Sequence, residues 1–209
     1  MPNKMNITFS KAMVSIENFS RELTVLCDAC DRFDRAGIEY MVAGPFATNY
    51  YLGHSMSSDF ELVVNLSSEN ASHIRAMFEP DYSLSQEEVE CALLTQDVFY
   101  LLHVGSVVKM KIIIKRDELY RQVAFDGRNT ANVAGFNLWI INKEDLVLFK
   151  LEAAKKSRCQ VELGEVSALL ASGADQGHLK RWASHLRVED LLADLLAAPN
   201  NRTNFNKAA

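Results

Sequence analysis

Cysteine is scarce in this chain: there are four, Cys27, Cys30, Cys91 and Cys159, and only the first two stand close together. Their C-x-x-C spacing lacks the two further ligands a structural zinc needs, and both fall inside a helical pattern, not at the helix start that a redox pair prefers. They read as packing or surface thiols. Long apolar runs are also missing. No stretch approaches the roughly 20 apolar residues of a membrane helix, and the first residues carry Lys4 and Lys11 without a signal-peptide core. A soluble, cytoplasmic protein with no membrane partner is expected. Internal repeats and low-complexity linkers are absent, which excludes solenoids and tethered arrays. Strong charge is lacking too, since a net charge of -5 does not advertise a nucleic-acid partner.

What remains is an ordinary globular composition. The 209 residues are 48% hydrophobic and 23% charged, enough for one sizeable core with a smaller helical appendage. The charges are unevenly spread. Gly105 to Arg158 holds eleven Lys/Arg against six Asp/Glu, a local balance of about +5. Solvated helix faces account for most such counts, and phosphate binding is the functional alternative. A plain RNA-binding role finds no aromatic platform or RNA-binding motif beside these lysines.

Periodicity predicts the elements. Phe19 to Ala36 has apolar residues every three or four positions, an amphipathic helix that Gly37 stops. Glu39–Ala43 reads as a buried strand, Phe46–Leu52 as a helix that Pro45 opens, and Phe60–Val64 as a second strand. Helices are expected at Ser68–Phe78 and Ser85–Leu94. The β-branched runs Phe99–Val104 and Val107–Ile114, split by Gly105-Ser106, form a hairpin. Phe136–Ile141 adds a strand, and Asn142 caps a helix over Lys143–Ser157. Further helices follow near Val161–Ala171, Gln176–Leu186 and Val188–Ala197, before a polar, frayed tail. The expected fold class is α/β (α+β), a small mixed sheet flanked by helices. Its domains are an α/β domain over residues 1–141, a helical region over 142–198 and a tail over 199–209.

Chemistry concentrates at Ala43-Gly44-Pro45, a two-turn helix, and then Ser58-Asp59-Phe60-Glu61-Leu62. Side chains alternate along a strand, so Asp59 and Glu61 share one face while Phe60 and Leu62 take the other. Two adjacent carboxylates repel, and become useful when a divalent cation sits between them; magnesium takes one or two carboxylates together with substrate phosphates. An exposed strand face is the plainer meaning of the same two acids. The five histidines show no ligand spacing and read as surface or capping residues.

With these residues quoted, the chain resembles the nucleotidyltransferase superfamily of the DNA polymerase β-like fold, whose small members include abortive-infection and toxin-antitoxin nucleotidyltransferases. Ile38 to Gly44 looks like the strand entering the glycine turn, Asp59-Phe60-Glu61-Leu62 like the paired-acid element, and Val133 to Lys150 like a strand leading to a helix and a lysine. The resemblance implies Asp59 and Glu61 as catalytic, metal-holding acids, and Mg2+ as cofactor. It implies nucleotide binding by Gly44, Pro45, Ser57, Ser58, Lys109, Lys111 and Lys150. The expected partners are a nucleoside triphosphate, an RNA or protein acceptor and a partner protein. Three departures from the pattern stand out. Pro45 replaces a second Gly or Ser and removes a backbone donor. Lys111 stands where relatives carry a third carboxylate, and no Arg or Thr precedes the acids. Two functions follow: nucleoside monophosphate transfer from a triphosphate, or a catalytically silent module of the same fold that binds nucleotide, RNA or a partner. If Lys109, Lys111 and Lys150 serve one site, they should converge on the acids, and Lys111 should pair with Asp59 or Glu61.

Overall fold

The computed structural model describes residues 21–54, 57, 59–106, 108–157 and 160–197. The tail after Pro199, Cys159 and the candidate residue Ser58 lie outside these. The chain divides into two compact units, Met1–Ile141 and Asn142–Ala209.

In the first unit a helix over residues 21–35, α1, ends where Gly37 takes a left-handed φ of 67°. Strand β1 (Tyr40–Ala43) is buried along its whole length, as its apolar run demands, and passes directly into α2 (Gly44–Leu52). Strand β2 (Phe60–Val64) follows, and then α3 (Ser68–Phe78), which Ser67 and Asn70 close with a reciprocal capping box. A short β3 (Tyr82–Ser83) and α4 (Gln86–Thr95) lead to β4 (Val98–His103) and β5 (Lys109–Ile114). After α5 (Leu119–Asp126) the chain forms β6 (Asn129–Val133) and β7 (Phe136–Ile140). The strands make one seven-stranded mixed sheet in the order β3-β4-β5-β2-β1-β7-β6. Strands β2 and β5 pair in parallel, as do β1 and β7, and the other neighbours are antiparallel.

Period-two patterning gives the sheet two chemically different faces. Phe60, Leu62 and Val64 stand in register with Met110, Ile112 and Ile114, and all six are buried. Phe99, Leu101, Tyr40 and Val42 extend that face. Aromatic rings from the helices pack there, Phe46 at 5.6 Å from Phe60 and Phe33 at 6.2 Å from Tyr40. The opposite face carries Glu61, Lys111, Tyr100, Lys109 and Leu102 in the same registers.

Three elements exceed the sequence expectation: β3, α5 and β6. Asn129–Val133 carries little strand signal because Asn129, Ala131 and Asn132 are of types depleted in strands. Ala134 and Gly135 have φ of 51° and 89°, the pair of positive values that a tight hairpin turn requires. Asp59, expected to share a strand face with Glu61, lies one residue before β2.

The second unit is helical, with α6 (Lys143–Ser157), α7 (Gln160–Ala171), α8 (Gln176–His185) and α9 (Glu189–Ala197). Asn142 accepts from the Asp145 amide at the start of α6, and Asp175 accepts from the Gly177 and His178 amides at the start of α8. Asp145, buried, meets His178 Nε2 at 2.9 Å. No helix of the described residues is long and apolar enough to cross a membrane.

Candidate functional site

The site is built where β1 turns into α2. Gly44 has a φ of 64°, and a Cβ placed on it would lie 2.8 Å from Cγ, Cδ and Oε2 of Glu61. Only glycine satisfies both conditions: the left-handed backbone and the close approach of a neighbouring carboxylate. Pro45 then occupies the first turn of α2, where its missing N–H takes no hydrogen bond from the helix ladder. Thr48, one turn on, donates through Oγ1 to the Gly44 carbonyl, and Tyr51 donates to the Ile141 carbonyl at 2.7 Å, tying α2 to the end of β7.

Glu61 is set opposite Ala43 on one side and Lys111 on the other. Tyr100 is opposite Lys111 in turn, so Tyr100, Lys111, Glu61 and Ala43 form one row across four strands. In that row the Lys111 ammonium lies 3.3 Å from Glu61 Oε1. The two side chains are 37% and 30% exposed, an ion pair at the surface of the sheet and open to solvent. Glu61 is therefore held between the bare Cα of Gly44 and the ammonium of Lys111.

Asp59 is exposed, and its amide donates to Ser57 Oγ at 3.1 Å. It precedes Phe60, the partner of Met110, as Lys109 precedes Met110 on the parallel strand. Asp59 and Lys109 thus enter at the same end of the sheet. The Lys109 ammonium lies 3.7 Å from the centroid of Tyr100, a cation–π contact. The composition gave no sign of an aromatic beside the lysines, yet Tyr100 exposes 37% of its surface there. The signal that finds it is the alternation of β4, which puts Tyr100 and Leu102 opposite buried Phe99 and Leu101.

Of the residues expected at the site, Gly44, Glu61 and Lys111 come together, with Pro45, Ser57, Asp59 and Lys109 on adjoining segments. Lys150 belongs to the helical unit. Its buried ammonium pairs with Glu165 at 2.5 Å and Glu162 at 3.4 Å, the two acids that α7 presents one turn apart.

A divalent ion is a poor match for these donors. Glu61 already accepts from an ammonium, Asp59 stands free of the strand, and no three His, Cys, Asp or Glu gather among the described residues. An ammonium on the same carboxylate competes for its oxygens and repels an incoming cation.

Known structures bear on this geometry. The solution structure of the antibiotic-resistance factor ANT(2'')-Ia matches over 85% of this chain and 96% of its own, with a TM-score of 0.56 and 12% identity. The chain has the nucleotidyltransferase fold. A crystal structure of ANT(2'')-Ia with adenylyl-2''-tobramycin matches at a TM-score of 0.50 and 12% identity, covering 85% of this chain and 98% of that one. An antigenic nucleotidyltransferase-like protein from Paracoccidioides brasiliensis matches at 0.49 and 15% identity over 84% and 91%. No family model matches the sequence, and no curated protein matches it either. On the nucleotidyltransferase fold the glycine turn, β2 and β5 therefore form one continuous corner of the sheet, with Glu61 and Lys111 at its centre.

Proposed function

We propose that this chain is a nucleotide-binding protein of the nucleotidyltransferase fold that is silent for group transfer as it stands. The observation that carries this reading is the Lys111–Glu61 pair at 3.3 Å. Nucleotidyl transfer needs positioned phosphates and cations that neutralise charge on both the attacking and the leaving oxygen. A corner with one carboxylate engaged by lysine supplies the positioning and lacks the acids for paired metals. The ligand is a nucleoside triphosphate, and the protein is placed in the cytoplasm, where that ligand is found.

A working transferase is the second reading, favoured by the intact Gly44 turn closing on Glu61. Such an enzyme would pass a nucleoside monophosphate to an RNA or protein acceptor using Mg2+, Asp59 and Glu61, as in a toxin-antitoxin or abortive-infection setting. The adenylyl-tobramycin complex of ANT(2'')-Ia adds a small-molecule hydroxyl to the acceptor classes worth testing.

The test is titration of the unmodified protein with each of the four nucleoside triphosphates while pyrophosphate release is followed. Saturable binding without release is expected. Absence of binding to any nucleotide would overturn the nucleotide-binding reading, and turnover by the unmodified chain would replace it with the transferase.

A further inference from the structure

We propose that the ammonium of Lys111, and not a divalent ion, is the cation that holds the phosphates at this site, so that nucleoside triphosphate binds without metal. This rests on the nucleotide-binding reading above and names the electrostatic device within it.

Four observations converge. Lys111 stands opposite Glu61 in the sheet register, so the backbone itself sets the ammonium beside the carboxylate. An ammonium carries three N–H donors; the bond to Glu61 Oε1 uses one of them, and the side chain remains 37% exposed. The second Glu61 oxygen lies over Gly44, at 2.8 Å from where a Cβ would sit, so the carboxylate is boxed in on the side away from the lysine. Lys109, two residues along the same face of β5, adds a second exposed ammonium above the Tyr100 ring. The corner thus carries two ammoniums, opposed by the carboxylates of Glu61 and the exposed Asp59.

Two consequences separate this device from a metal site. Magnesium bound to the triphosphate neutralises part of the charge that the lysines attract, so metal should weaken binding or leave it unchanged. Glu61 holds Lys111 back from the ligand, so removing its charge should release the ammonium and tighten binding. In a metal site both signs reverse, because the carboxylate brings the metal and the metal brings the phosphates.

The experiment is calorimetric titration of the full chain with ATP, once in EDTA and once in excess magnesium, for the unmodified protein, Glu61→Gln and Lys111→Met. Circular dichroism confirms that each variant is folded at the temperature used. The expected results are affinity in EDTA equal to or several-fold tighter than in magnesium, a further several-fold gain in Glu61→Gln, and a loss of about tenfold or more in Lys111→Met. Binding that requires magnesium, or a Glu61→Gln variant that is weaker or unchanged, would overturn the inference while leaving the nucleotide-binding reading in place. No heat with ATP in either medium would sink both.

Discussion

At the residue scale the corner depends on what Gly44 lacks. Three glycines of the first unit share nearly the same φ, Gly37 at 67° and Gly44 and Gly53 at 64°, but a Cβ on Gly37 or Gly53 meets nothing within 4 Å. Gly37→Ala therefore isolates the strain of the left-handed backbone, about 1 kcal/mol. Gly44→Ala adds the collision with Glu61, about a further 1–3 kcal/mol for an overpacked contact. Urea midpoints of the two variants check this: Gly44→Ala should be the less stable by that margin. Equal losses would mean that Glu61 swings clear at no cost and that the close approach is incidental. The resemblance implied that Lys111 pairs with Asp59 or Glu61, and the structure pairs it with Glu61. The company of Tyr100 was missed, although the alternation of β4 sets it with Leu102 on the face opposite Phe99 and Leu101.

At the element scale, strong periodicity or caps made most helices and strands legible, and Phe60–Val64, Ser68–Phe78 and Lys143–Ser157 stand where the pattern puts them. The elements without a signal are short or polar. The two residues of β3 are too few for any period, and β6 owes its strand to pairing with β7, not to its own residues. Lys150 shows a related limit. Its place in α6 was clear, but its partners Glu162 and Glu165 lie on the next helix, and side-chain contacts between helices are not written in either one alone. Lys150→Ala should lower the unfolding free energy by about 1–3 kcal/mol, less than for a fully buried pair because the two carboxylates are about one-third exposed. Lys150→Met, which keeps the buried stem, should lose less. Denaturant unfolding reads both, and equal losses would show that charge, not packing, is what the position supplies. If Lys150→Met, still folded, weakens nucleotide binding, Lys150 joins the site.

At the scale of the whole molecule, a net charge of -5 conceals a basic middle segment, and the fold shows where much of that segment is used. Lys111 faces Glu61, Arg128 faces Glu39 at 2.8 Å, and Lys150 faces Glu162 and Glu165. The Arg128 guanidinium, with Asn65, holds the Glu39 carboxyl below its ordinary range. Local composition thus overstated the positive field, since each partner comes from outside the counted segment. The corner of Gly44, Glu61, Lys111 and Lys109 is the surface we propose for phosphates, and no three His, Cys, Asp or Glu gather among the described residues. The most direct measurement of that claim is label transfer from α-labelled nucleoside triphosphates in magnesium, with RNA and total protein as acceptors, comparing the unmodified chain, Lys111→Asp and Lys111→Asp with Asp59→Ala. The account predicts no transfer by the unmodified chain, transfer on restoring an acid at 111, and its loss when Asp59 is removed. Robust transfer by the unmodified chain that disappears in Lys111→Asp would contradict it and make the lysine part of a working active site.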